Sequence, residues 1–138
     1  MIPQDDTNET VNIDEYGFTE KAHPLDILAR KVHVANMKWW INIHTSEVIE
    51  RNVGELLMLT VSELAEALEG DRKNLMDGKL PQYKMFDVEI VDTFIRLLDI
   101  AGAKIPNLGQ IFSDKMAFNA RREDHKIESR LKVDGKKY

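Results

Sequence analysis

Apolar positions recur three and four residues apart along most of the chain, the spacing of helix faces rather than of strands. Leu25, Leu28, Val32, Ala35 and Trp39 follow it after Pro24, which predicts a helix from Pro24 to about Ile43. Val53, Leu57, Val61, Leu64 and Leu68 follow at intervals of four, four, three and four. They predict a second amphipathic helix, N-capped by Ser46, running to Glu69 and stopped by Gly70. A third helix runs from about Gln82 to Ala101 and closes at Gly102, and a fourth starts at Pro106-Asn107 and ends near Arg121. Residues 71–81, with Asp77-Gly78 and Pro81, read as a connection. Val, Ile, Thr and aromatic residues nowhere alternate over a strand's length between turn residues. The expected fold class is all-α, a bundle of four helices.

The third helix carries most of the chemical information. Val88, Ile90, Val91, Phe94, Ile95, Leu97, Leu98, Ile100 and Ala101 make it apolar on most sides, so it is expected to be largely buried. Glu89, Asp92, Arg96 and Asp99 nevertheless run along it as a narrow polar stripe. A carboxylate on a buried helix is costly unless it is paired or bound to a cation. The second helix carries Glu63 and Glu66 at the same separation of three residues, so each pair shares one helix face. Two such pairs can converge in the groove between antiparallel helices. Oxygen-only clusters of that kind suit Mg²⁺ or Mn²⁺, hard cations that bridge to phosphates. The bland reading is a solvated acidic face, with Arg96 the salt-bridge partner of Asp92 four residues before it. Two pairs, one of them on an apolar helix, favour convergence.

Lys115, Asn119 and Arg122 fall at i, i+4 and i+7 on the fourth helix, an arrangement that can bind phosphate. A basic helix C-terminus favoured by the macrodipole is the alternative. Lys84, about one turn before Glu89, is a further candidate of the same kind. Trp39 and Trp40 are adjacent and point about 100° apart, so one packs inward while the other is free to stack on a base or cover an interface. Asn36 and His33 lie one or two turns earlier and can offer hydrogen bonds to a base edge, or simply be surface polar residues.

Composition narrows the chemistry further. The 138 residues contain no cysteine, which excludes disulfides, thiolate catalysis and Cys-based metal sites. His23, His33, His44 and His125 are scattered without paired-ligand spacing, which argues against a histidine metal site and against redox di-iron ligation. A net charge of −5 argues against binding a nucleic acid polymer. No apolar run approaches the roughly 18 residues of a membrane span, and the start lacks signal-peptide character. A cytoplasmic protein is expected. Residues 1–20 carry six acids and no Lys or Arg, whereas Arg121 to Tyr138 carries seven basic residues against four acids. Residues 1–21 are therefore read as an acidic arm, 22–122 as the helical domain and 123–138 as a charged tail with almost nothing to bury.

Glu63-Leu64-Ala65-Glu66, followed after 22 residues by Glu89-Ile90-Val91-Asp92, resembles the ExxE…ExxD signature of the MazG-like, all-α nucleotide pyrophosphohydrolases. That superfamily also holds dimeric dUTPases and all-α dCTP pyrophosphatases. Lys115-Met116-Ala117-Phe118-Asn119-Ala120-Arg121-Arg122 is similar to the KMxYNxxR segment of short MazG-like proteins, many encoded by bacteriophages. The resemblance covers about residues 25–122. It departs at Phe118, where a Tyr is usual, in the ending after Arg122 (Gly135-Lys136-Lys137 is only reminiscent of phage members), and in the acidic arm.

The resemblance implies hydrolysis of a nucleoside triphosphate between its α and β phosphates, releasing the monophosphate and pyrophosphate. Glu63, Glu66, Glu89 and Asp92 would hold Mg²⁺, with Mn²⁺ able to substitute, and Glu63 or Glu66 would orient or deprotonate the attacking water. Lys115, Asn119 and Arg122, with Lys84, would bind the triphosphate. Trp39, Trp40, Asn36 and His33 would shape the base pocket. Deoxynucleotides are expected, dGTP or dCTP ahead of dUTP, in a homodimer or homotetramer with sites completed across the interface, in a host cytoplasm if the protein is phage-encoded. The alternatives are a modified nucleotide or guanosine tetraphosphate at the same site, or a non-catalytic helical oligomerisation module.

Overall fold

A computed structural model describes residues 14–19 and 21–138; the rest of the acidic arm lies outside the described residues. Among the described residues the chain is all-helical. It forms α1 (Pro24–Asn36), a 3-10 turn at Met37–Trp39, α2 (Val53–Lys73), α3 (Met85–Lys104), α4 (Leu108–Arg121), a second 3-10 turn at Glu123–His125 and the short α5 (Ile127–Arg130). It divides into two compact units, one reaching Pro106 and the other spanning Asn107–Tyr138.

In the first unit α3 packs against both α1 and α2. Gly70 near the end of α2 meets Met85 at the start of α3, while Glu63 meets Arg96 further along, so α2 and α3 form an antiparallel hairpin. Ala29 and His33 of α1 lie against Gly102 of α3.

Several helix ends differ from expectation for local reasons. The first helix stops at Asn36 instead of Ile43 because the chain turns back. Asn42 Oδ1 accepts the amides of His44 and Thr45 at 2.9 and 3.3 Å, Ile41 bridges Val48, and Ser46 sits in the left-handed region at φ 59°. A short polar side chain that captures nearby amides competes with the helix. Ser46 is therefore a turn residue, and the true N-cap of α2 is Asn52, whose side chain accepts the Glu55 amide. Neither Gly70 nor Gly102 ends its helix. A Cβ on Gly70 would stand 2.9 Å from Met85 Cβ, and one on Gly102 would stand 2.4 Å from the Ala29 carbonyl oxygen. Both glycines are notches that admit the neighbouring element, and Asn74, left-handed at φ 50°, closes α2. α3 begins at Met85, three residues later than expected, with Lys84 as its N-cap residue.

The polarity of the helices is also the reverse of what their patterns suggest. On α2 the buried positions are Leu56, Thr60, Glu63, Ala67 and Gly70, while the apolar stripe of Leu57, Val61, Leu64 and Leu68 is exposed. On α3 Glu89, Thr93, Asp99 and Ala101 are buried, whereas Val91, Phe94 and Leu97 face outward. The third helix is thus not largely buried in the single chain.

In the second unit, the segment after Arg122 is not a bare tail. Its 3-10 turn and α5 pack together, and Arg130 donates to the carbonyls of Lys136 and Lys137.

Candidate functional site

The antiparallel hairpin brings the two acidic pairs of the first unit together. Glu63, Glu89 and Asp92 can each offer a carboxylate oxygen within 4.8 Å of the others. Glu63 and Glu89 are 8% and 7% exposed, and Glu66 borders the same cavity. Hydrogen bonds along the helices keep the neighbouring positions polar without adding charge: Thr60 and Thr93 return their hydroxyls to the carbonyls of Leu56 and Glu89.

Among the described residues Arg96 pairs directly with this cluster. Arg96 Nε donates to Glu63 Oε1 at 2.5 Å across the two helices. Asp92, the partner expected from spacing alone, is not the residue it engages. Burial first, then the Glu66 charge, a hydrogen bond with Glu63, and the Glu63 and Asp92 charges push the Glu89 carboxyl up to about 7. The ion pair with Arg96 thus leaves the cluster's mutual repulsion largely uncompensated at Glu89. Oxygen donors from three carboxylates at this separation match the preference of Mg²⁺ or Mn²⁺, and the absence of sulfur and imidazole among them disfavours softer metals.

A cavity of about 620 Å³ opens from the cluster toward the end of α1. Its acidic end is formed by Glu63, Glu66, Glu89 and Asp92, and Asn36, Trp39 and Arg51 also line it. The adjacent tryptophans separate as their spacing requires. Trp39 is 61% exposed and lines the cavity, while Trp40 is buried. Trp40 and His33 do not line it. The Trp40 indole N–H donates to both Asp99 oxygens at 3.0 Å, His33 Nδ1 lies 2.8 Å from Asp99 Oδ1, and the two rings meet edge to face at 5.2 Å. Of the four residues expected at a base pocket, Trp39 and Asn36 border open space, and Trp40 and His33 anchor the corner behind them.

Lys84 heads α3 and is not among the cavity-lining residues, whereas Lys79 is. Lys79 is carried by a turn in which Asp77 Oδ1 accepts the Lys79 and Leu80 amides at 3.0 and 2.6 Å. Lys115 and Asn119 lie on α4 in the second unit, with the Lys115 ammonium 4.9 Å from the Phe118 ring centroid. Arg122 stands at the α4 C-cap with extended backbone and forms a two-point ion pair with Asp124 at 2.9 and 2.6 Å, so it leaves the helical face shared by the other two.

Sequence reasoning placed Asp99 on the polar stripe without a role and did not single out Arg51 or Lys79. Asp99 is detectable as the next acid on that face, seven residues or about two turns beyond Asp92. Arg51 lies in an irregular segment with no periodic signal, donating to the Trp39 carbonyl at 3.2 Å. No helix among the described residues is long and apolar enough to cross a membrane. Comparison with family models, curated proteins and solved structures gives no match.

Proposed function

We propose that the chain is a divalent-cation-dependent nucleoside triphosphate pyrophosphohydrolase of the MazG-like kind, converting a (deoxy)nucleoside triphosphate and water to the monophosphate and pyrophosphate. One observation carries the reading: two acidic pairs, 22 residues apart in sequence, meet at one end of a cavity that an exposed tryptophan lines elsewhere. The cavity's volume is within the range of small-molecule sites, and its two ends suit the two ends of a nucleotide.

In this reading Glu63, Glu89 and Asp92 hold Mg²⁺, or Mn²⁺ in its place, with Glu66 beside them. A divalent cation there supplies positive charge to the polyphosphate and acidifies water. Glu66, the exposed member of the four, orients the attacking water and accepts its proton. Trp39 stacks on the base and Asn36 hydrogen-bonds its edge, while Arg51 and Lys79 offset phosphate charge. Deoxynucleotides remain the expected substrates, dGTP or dCTP first.

The outward apolar residues of α2 and α3 support assembly as a homodimer or homotetramer, since such faces are normally covered. They also favour the second reading, a helical oligomerisation module whose acidic seam is structural. The pairing speaks against that: a salt-bridge seam would match its acids with cations, and among the described residues Arg96 pairs with Glu63 while Glu89 and Asp92 form no ion pair.

The deciding experiment is pyrophosphate release from eight NTPs and dNTPs with Mg²⁺, beside Glu63→Ala. Metal-dependent release that the variant loses is the expected result. Silence across the panel, with no rise in melting temperature in millimolar Mg²⁺ or Mn²⁺, would leave the oligomerisation module.

A further inference from the structure

Arg96 engages a carboxyl that the acidic cluster also offers to a cation. Its Nε is 2.5 Å from Glu63 Oε1, and that carboxyl belongs to the cluster whose oxygens lie within 4.8 Å of one another. A guanidinium and a divalent ion therefore claim the same carboxylate. The Arg96 side chain is 39% exposed and lines the cavity, so it has somewhere else to go, while the Glu63 side chain, at 11%, has not.

Its place along α3 shows where it would go. Asp92, Arg96 and Asp99 share one stripe, with Arg96 about 6 Å of helix rise beyond Asp92 and about 4.5 Å before Asp99. Asp92 belongs to the carboxylate cluster, and Asp99 holds Trp40, next to the cavity-lining Trp39. A nucleotide gripped by the cluster at one end and by Trp39 at the other carries its phosphates past the middle of that stripe. A planar guanidinium released there matches phosphate oxygens in a two-point contact.

We infer that Arg96 is an internal stand-in for the divalent cation: it neutralises Glu63 in the metal-free protein, yields that oxygen when a cation binds, and then engages the polyphosphate. This rests on the metal and nucleotide reading above. It differs from a purely structural salt bridge because it gives one residue opposite effects on two ligands.

The test uses the full chain and two probes, Mn²⁺ alone, followed by the electron paramagnetic resonance signal of the free ion, and inorganic tripolyphosphate titrated calorimetrically at saturating Mg²⁺. Arg96→Gln should bind Mn²⁺ about fivefold more tightly than the unaltered protein and tripolyphosphate about tenfold more weakly. Arg96→Lys, which keeps the charge, should bind Mn²⁺ within about twofold of the unaltered protein. Circular dichroism checks helix content, and Arg96→Met, which keeps the aliphatic stem, repeats the test if the glutamine variant misfolds. Mn²⁺ binding that is unchanged or weakened in the neutral variants overturns the exchange while sparing the metal site. Tighter Mn²⁺ with unaltered tripolyphosphate binding overturns the phosphate contact. Failure of both the unaltered chain and the variants to bind Mn²⁺ overturns the metal reading together with this one.

Discussion

Asp99 accepts the Trp40 indole N–H on both carboxylate oxygens at 3.0 Å, joining the end of α3 to the turn after α1. The same carboxylate lies 2.8 Å from His33 Nδ1, and all three residues are buried. Asp99→Ala strands two buried polar groups and is expected to lower unfolding free energy by about 2–4 kcal/mol. Trp40→Phe removes one donor and part of a buried ring and should lose about 1–3 kcal/mol. Urea unfolding checks both.

The carboxyl of Glu89 keeps its proton in the folded chain up to about pH 7, mainly through burial and then through the surrounding acids. An unfolded glutamate releases it near 4.3. Between those values the folded state holds more protons, so metal-free stability should fall as pH rises and level off above 7. The loss is on the order of 3 kcal/mol. Glu89→Gln should flatten that part of the profile and stabilise the metal-free protein near neutrality, while abolishing any Mg²⁺-induced rise in melting temperature. Urea midpoints in EDTA from pH 4.5 to 8, compared between the two proteins, give the answer; equal slopes would refute it.

Trp39 is mostly exposed, so Trp39→Ala should change stability by less than about 0.5 kcal/mol. If its ring stacks on the base, nucleotide affinity falls by about 1–3 kcal/mol. Tripolyphosphate binding, which needs no base contact, should be unaffected. Parallel titrations with nucleotide and tripolyphosphate separate a ring contact from a general disturbance of the cavity.

Gly102→Ala would place its Cβ 2.4 Å from the Ala29 carbonyl oxygen and 2.6 Å from His33 Cβ, forcing α1 away from α3. The expected loss is about 1–3 kcal/mol. Gly78→Ala meets nothing within 4 Å and should be close to neutral. Thermal melts of the two variants discriminate a packing notch from a generic glycine effect.

Much of the architecture was legible from spacing. The helical class, the limits of α4 and the divergence of Trp39 from Trp40 follow from period and geometry alone. So does the approach of Glu63 to Glu89 and Asp92, because antiparallel helices joined by a short connection bring their polar stripes together; the fourth expected carboxyl, Glu66, stands outside that cluster at the cavity's border. What escaped depended on contacts between elements. Gly70 and Gly102 look like helix stops until a neighbour is seen seated against them. Ser46 looks like a cap until Asn42 turns the chain. Arg96 could reach Asp92 along its own helix, and only the placement of α2 reveals that Glu63 is nearer. The inward and outward faces of α2 and α3 were misjudged because hydrophobic pattern reports which side avoids water, not which neighbour covers it.

The α2–α3 hairpin also bears on how the chain folds. Glu63 and Arg96 are 33 residues apart, and Gly70 seats Met85 near the hairpin's closed end. The Gly70–Met85 end closes a loop less than half as long as the Glu63–Arg96 pair does, so it costs less loop entropy to form first. Closing the seam crowds the carboxyls of Glu63, Glu89 and Asp92 while their attraction to Arg96 develops. The electrostatic barrier of the site thus becomes a kinetic property of the whole unit. Mild acid should speed refolding of this hairpin, and high pH should slow it, before any substrate is met.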